Sequence, residues 1–264
     1  MSENLLVDKE DAIAVLTLNA PQSINSLSES MLEELTGALS SIALDRDIRV
    51  VILKSSSENF CAGHNLKEMT ARRVDQDGGY EYFEELFATC SKMMQLVVSM
   101  PQPVIAEVRG IATAAGCQLV AACDLAIAGE TAKFATSGVN IGLFCSTPMV
   151  ALSRNISPKH ALEMLVTGEF ITAKRAAEIG LINRGVPDRE LSSRVRSLAE
   201  EISHKSGSAI RMGKDAFYKQ LGMPIDKAYE YAGQTMARNM MTKDAEAGIK
   251  AFNKKRPIPP WSHE

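Results

Sequence analysis

Apolar runs of strand length alternate with stripes of helical period up to about residue 188, and the strands are joined by connections of parallel type. Residues 12–18 (Ala-Ile-Ala-Val-Leu-Thr-Leu) read as a strand, followed by a turn at Pro21, Asn25 and Ser26. A helix comes next. Ser28 is placed to cap it, and Met31, Leu32, Leu35, Leu39 and Ile42 share one stripe before residues 45–47 end the run. Residues 49–54 read as a buried strand, 104–108 as a short apolar strand after two prolines, and 119–128 as a helix end running into another strand. This order builds an α/β body on parallel strands, not a sandwich or a bundle. No short repeat period is present, although the alternation suits a spiral of strand–helix units.

Beyond residue 188 the pattern turns helical, with helices expected over 190–203, 208–221, 225–241 and 243–253. Met236, Met240 and Met241 lie on a face suited to packing against a neighbouring subunit or against the chain's own body. Pro257, Pro259 and Pro260 then stop regular structure. A chain of 264 residues, 45% hydrophobic, can bury one large core. The expected division is a core over residues 1–200 and a helical oligomerisation region over 201–264.

A net charge of −3 with mixed acidic and basic residues provides no basic face for a nucleic-acid partner. Residues 1–6 carry no basic leader pattern, and no apolar stretch reaches the length of a membrane span, so a cytoplasmic protein with no membrane partner is expected. Cys61, Cys90, Cys117, Cys123 and Cys145 are spaced neither as a disulfide framework nor as a metal site. No metal is expected.

Two strand-to-helix turns are crowded with small residues. One is Cys61-Ala62-Gly63-His64-Asn65; the other is Gly110-Ile111-Ala112-Thr113-Ala114-Ala115-Gly116. Small side chains let a ligand approach the backbone, and the first N–H groups of a helix lack intrahelical acceptors. Two such turns brought together would direct donors at one oxygen, the arrangement that stabilises a developing oxyanion. The same residues also serve tight helix–sheet packing.

The segment Phe60-Cys61-Ala62-Gly63-His64-Asn65-Leu66-Lys67-Glu68-Met69 resembles the F-x-A-G-x-D-[IL]-K-E-[ML] segment of the crotonase (enoyl-CoA hydratase/isomerase) superfamily. The second turn, with Cys123-Asp124 a helix later, is similar to the superfamily's G-x-x-x-G-G-G-x-[ED]-L-x-x-x-C-D segment. Phe134-Ala135, Leu165-x-Thr167-Gly168, Ile171-x-Ala173, Ala177-x-x-Gly180-Leu181 and Ala251-Phe252-x-x-Lys255-Arg256 keep the same order. The resemblance implies a crotonase (ClpP-like) spiral of strand-strand-helix units with a C-terminal helical trimerisation region. It also implies an acyl-CoA thioester as substrate, a homotrimer or dimer of trimers, and no cofactor beyond the coenzyme A of the substrate. Carried over position by position, the oxyanion donors are the N–H groups of His64 and Ala115. Coenzyme A contacts fall on Gln22, Ser23, Ile24, Ala62 and Lys67, with Phe252 and Lys255 reaching a neighbouring subunit's coenzyme A, and Asn65 and Leu66 are further substrate-binding positions. Asn140 and Cys145 fall near the acyl group. Gln22 stands where a basic residue is often found.

Hydratases of this family use two glutamates, and the resemblance places those positions on Gln118 and Gly138. An amide does not exchange protons near neutrality as a carboxylate does, and glycine offers no group at all. Losing a positioned acid and base costs about 10²- to 10⁴-fold each, so efficient hydration is not expected. The stretches Ala62-Gly63-His64-Asn65-Leu66 and Val139-Asn140-Ile141-Gly142 are similar to the branch containing methylmalonyl-CoA decarboxylase, which also lacks the glutamates. Loss of CO₂ produces an enolate without a base, so two backbone donors and a polar group orienting the carboxylate suffice. Cys145 stands where that branch carries a tyrosine. Residues 113–121 and 142–148 are similar to the branch named for enoyl-CoA hydratase domain-containing protein 3. Cys145, near a helix start with Thr147 as its expected cap, is a candidate thioesterase nucleophile, and the His64 imidazole a candidate acid or base. A non-catalytic protein that binds coenzyme A is the reading from another class.

Overall fold

The computed structural model describes residues 4–264; residues 1–3, where the N-terminal reading above begins, lie outside the described residues. The chain opens with a hairpin, β1 (Leu5–Glu10) and β2 (Ile13–Leu18), which turns at Asp11 with φ 52°. There follow α1 (Glu29–Leu44), β3 (Val50–Ser55), α2 (Leu66–Ala71) and α3 (Tyr80–Ser99). Next come β4 (Val104–Val108), β5 (Ile111–Thr113), α4 (Ala115–Ala122), β6 (Leu125–Gly129) and β7 (Lys133–Ala135). After them lie α5 (Ser146–Asn155), α6 (Pro158–Thr167), β8 (Ile171–Thr172), α7 (Ala173–Glu178) and β9 (Arg184–Val186). Four helices close the chain: α8 (Leu191–Ser203), α9 (Gly207–Gln220), α10 (Ile225–Met240) and α11 (Lys243–Asn253).

The strands form two sheets, ordered β1-β2-β3-β4-β6-β9 and β5-β7-β8. Every pair from β2 to β9 in the larger sheet is parallel, as is β5 with β7. Consecutive strands therefore step from one sheet to the other before the next helix, as in β4-β5-α4 and β6-β7-α5. This is the expected spiral. Strand β2 reads as a continuous apolar run because both of its faces are covered. Ala14, Leu16 and Leu18 enter the main core, while Ile13 and Val15 join Val50, Ile52, Ile105 and Ile127 beneath Leu191, Val195 and Ala199 of α8. Residue 200, the division expected from sequence, lies inside α8.

Helix α1 starts where Ser28 accepts a hydrogen bond from the Met31 N–H, and its whole apolar stripe is buried. Each such side chain contributes about 1.5–3 kcal/mol of burial. Helix α3 has an equally regular stripe in Leu86, Cys90, Met93, Met94 and Val97 that the sequence reading passed over. Asp124, at the helix-to-strand turn, ties the helical C-terminal region to the core. Its carboxylate accepts from the Val104 N–H (2.7 Å), Lys214 Nζ (2.7 Å) and the Tyr218 hydroxyl (2.9 Å). Lys214 also donates to the carbonyls of Val97 and Gln102, so this buried ion pair leaves no proton of the ammonium unpaired.

Candidate active site

The two small-residue turns interlock. Gly63 has φ +93°, and a Cβ there would lie 2.9 Å from the Ala114 Cβ and 3.1 Å from the Ala115 nitrogen. A Cβ on Gly116 would lie 2.2 Å from the Cys61 carbonyl oxygen. Only glycine at both positions lets the backbones close to this distance. Ala114 holds φ 50° and ψ −120°, a strained conformation for an alanine, and is fixed there by its N–H bond to the Ala135 carbonyl (3.0 Å). The next residue, Ala115, opens α4. Among the described residues neither the His64 nor the Ala115 N–H has a protein acceptor.

Both residues line a cleft of about 990 Å³, at the upper end of the roughly 300–1,000 Å³ common for ligand pockets. One end is formed by Gln22, Ser23 and Ile24, which the Ala62 N–H joins by a bond to the Ile24 carbonyl (3.0 Å), and by Leu66 and Lys67 of α2. Asn65 caps α2, accepting from the N–H groups of Lys67 and Glu68 and donating to the Glu68 carboxylate (2.9 Å). Lys67 is exposed and makes no ion pair among the described residues. Eleven sequence candidates thus share one cleft: Gln22, Ser23, Ile24, Ala62, His64, Asn65, Leu66, Lys67, Ala115, Gly138 and Cys145.

Four candidates lie elsewhere. Gln118 belongs to a helix buried on every side, and its side chain, 4% exposed, does not line the cleft; its Oε1 has no partner. Asn140 turns its amide to the Gly168 carbonyl (3.3 Å), because the 3₁₀ turn Ser137–Ile141 packs against α6. Phe252, 77% exposed, sits on α11, and Lys255 lies just past its end; neither lines the cleft of its own chain.

Gly138 is in the cleft wall but is not an empty slot. A Cβ there would fall 2.3 Å from the Leu143 carbonyl oxygen and 2.8 Å from Cys145 Sγ. The Leu143 N–H bonds back to the Gly138 carbonyl (2.9 Å), so the chain folds over the position. Cys145 is 7% exposed, and burial pushes its thiol pKa up, against a smaller opposing effect of the Gly138 backbone. That opposes the activated thiolate a nucleophile needs. Helix α5 begins at Ser146 with Cys145 in the cap position and no side-chain cap bond, which corrects the expected Thr147 cap.

The His64 ring packs edge-on against Phe87 (centroids 5.4 Å apart), and both ring nitrogens are buried without partners. Burial lowers its pKa, against a smaller opposing effect of the Leu27 backbone, whose approach to the ring falls short of a well-formed hydrogen bond, so the imidazole is neutral at neutral pH. Phe87, Ser137, Leu143 and Phe144 also line the cleft and were missed from sequence. The α3 stripe carries the signal for Phe87; the other three are placed by tertiary folding alone.

Fold and cleft together describe an α/β spiral with a large cleft, lined by two residues whose backbone amides have no protein acceptor among the described residues. The family model for enoyl-CoA hydratase/isomerase matches residues 8–264, and the chain belongs to that family, within the crotonase superfamily. It is 44% identical to enoyl-CoA hydratase domain-containing protein 3, mitochondrial, of Xenopus laevis, over 98% of this chain and 86% of the relative. The human protein of that name is also 44% identical, over 96% and 82%. Among solved structures, an enoyl-CoA hydratase of Mycobacterium smegmatis superposes with TM-score 0.94 at 49% identity, covering 98% of this chain and 99% of the other. Human enoyl-CoA hydratase domain-containing protein 3 superposes with TM-score 0.92 at 41% identity, covering 97% and 99%. These similarities agree with the branch indicated by residues 113–121 and 142–148. They overturn the expected cytoplasmic placement, since the Xenopus and human relatives are named as mitochondrial. Among the described residues no helix is long and apolar enough to cross a membrane.

Proposed function

We propose that the protein binds an acyl-CoA thioester and polarises its carbonyl with the N–H groups of His64 and Ala115. The observation that carries this reading is the interlock of the Gly63 and Gly116 turns, which leaves both amides unpaired at the cleft. Preplaced donors of this kind stabilise the negative charge that develops when a thioester becomes an enolate. The coenzyme A portion lies along Gln22, Ser23, Ile24, Ala62 and Lys67, and no metal or redox cofactor takes part.

Hydration is not the efficient reaction of this site. Gln118 is a buried amide and Gly138 has no room for a side chain, so neither position offers the acid–base pair that hydration needs. The buried, uphill-shifted thiol of Cys145 argues against a covalent thioesterase. The working unit is a homotrimer or dimer of trimers, a reading supported by the exposed Ile225, Tyr229, Met236, Met241 and Phe252 on α10, α11 and the link between them. Phe252 and Lys255 then complete a neighbouring subunit's coenzyme A site.

A turnover screen against crotonyl-CoA, longer enoyl-CoAs, malonyl-type and saturated acyl-CoAs, read by product mass, tests this. The expected result is product from at least one ester class with slow or absent crotonyl-CoA hydration. Fast hydration contradicts the reading, and silence toward every ester despite binding would make this a non-catalytic coenzyme A-binding protein.

A further inference from the structure

Residues 261–264 have no regular structure, yet each is bonded to α9, to α11 or to the link between α8 and α9. The Trp261 indole N–H donates to the His204 carbonyl (2.9 Å) in that link, while its ring covers Gly248 of α11, where a Cβ would lie 3.2 Å from the indole. Ser262 donates its N–H (2.7 Å) and its hydroxyl (2.8 Å) to Asp244, the His263 N–H donates to the same carboxylate (3.1 Å), and Glu264 pairs with Lys243. Asp244, 3% exposed, also accepts from the hydroxyls of Ser206 (2.6 Å) and Ser208 (3.4 Å) at the start of α9. One buried carboxylate thus joins the tail, α9 and α11.

The His263 ring closes this arrangement. Gly207 is the first residue of α9, so its N–H has no acceptor within the helix; it donates to His263 Nδ1 (3.0 Å). Only an unprotonated Nδ1 accepts that bond. Arg211 of α9 donates to the His263 carbonyl (2.8 Å), and His263 holds φ 62°, a left-handed conformation that the surrounding bonds maintain. We propose that residues 261–264 form a latch across α9 and α11, and that protonation of His263 Nδ1 opens it.

A proton on Nδ1 replaces the Gly207 hydrogen bond by two donors facing each other, at the positive end of the fourteen-residue helix α9. Partial burial leads in holding the His263 pKa below 6.5, followed by Arg49, which precedes β3; Asp244 of α11 opposes them, and Arg211 of α9 adds a smaller effect in their direction. Lys243 and Glu264 pair with each other. The closed latch is therefore fully stable above the ordinary value of 6.5, and its stability is lost as pH falls through that value toward the lowered one. Opening leaves the Asp244 carboxylate bonded to Ser206 and Ser208 and frees the segment that follows α11. That segment contains Lys255, which the reading above assigns to a neighbouring subunit's site, but the latch does not depend on that reading.

Trp261 is the chain's only tryptophan, so the fluorescence of the full chain reads the latch directly. Titrated between about pH 8 and 5, the wild-type emission is expected to shift to longer wavelength, with a midpoint below 6.5, as the indole leaves α11 for water. In His263→Gln the side-chain oxygen still accepts from the Gly207 N–H but does not titrate, so the variant should keep the high-pH emission throughout. His204→Gln should retain the shift, because His204 gives Trp261 only its carbonyl. A wild-type emission that stays flat overturns the proposal, as does a shift that persists in His263→Gln or disappears in His204→Gln. A shift that coincides with loss of helical circular dichroism reports unfolding of the whole chain and overturns it too.

Discussion

The two ends of the cleft are built by different means. At the end where we propose that the thioester binds, the atoms on offer are backbone amides, and what holds them is the absence of side chains at Gly63 and Gly116. At the two positions to which the resemblance assigns an acid and a base, side chains must supply the chemistry, and here Gln118 is a buried amide while the chain folds over Gly138. A backbone site survives change in its neighbouring side chains as long as the fold keeps its turns. A side-chain site is lost with one substitution, and once a neighbouring segment occupies the space it is not recovered by reversing that substitution.

The largest effect is expected from breaking the backbone end. Gly116→Val puts a side chain into the Cys61 carbonyl, and the two turns must separate. Stability should fall by about 3 kcal/mol, the upper end of ordinary overpacking, with acyl-CoA binding lost; urea unfolding and titration read both. Gly138→Glu probes the other end. If Gly138 were simply a vacancy, the variant would gain hydratase activity, above all with Gln118→Glu. The covered position predicts a loss of about 1–3 kcal/mol and no gain of crotonyl-CoA hydration, read by unfolding midpoint and rate.

These contrasts also mark what a sequence can carry. The Met31 to Ile42 stripe and its Ser28 cap are local patterns, and they appear in the structure as read. The glycine-rich turns were legible because their chemistry is the backbone's own. The burial of Gln118 was not: α4 is buried all round, so its periodicity marks no face, and a family resemblance gives a position without its surroundings. The covering of Gly138 depends on a return bond from Leu143 to Gly138, which no spacing announces. Helix α3 had a readable signal, a heptad-like stripe, and with it went Phe87; strand β1 (Leu5–Glu10) alternates in neither sequence nor burial.

The smallest effect concerns His64, whose backbone belongs to the thioester end while its ring fills space against Phe87. Burial lowers its pKa below the ordinary 6.5, so the folded protein binds this proton less readily than the unfolded chain. The corresponding stability is complete above the unfolded value and is lost as pH falls through it toward the lowered folded value. Unfolding midpoints measured between about pH 7.5 and 5.5 should therefore fall less steeply for His64→Asn than for the wild-type protein. Identical slopes would place the imidazole in water.

The central claim is that two backbone amides polarise a thioester carbonyl, and infrared difference spectroscopy of a bound acyl-CoA, isotopically labelled at that carbonyl, addresses it directly. Donation from the His64 and Ala115 N–H groups lengthens the C=O bond, so the labelled band should move to lower frequency on binding. A thioester that binds in the cleft with its carbonyl band unshifted would contradict the account.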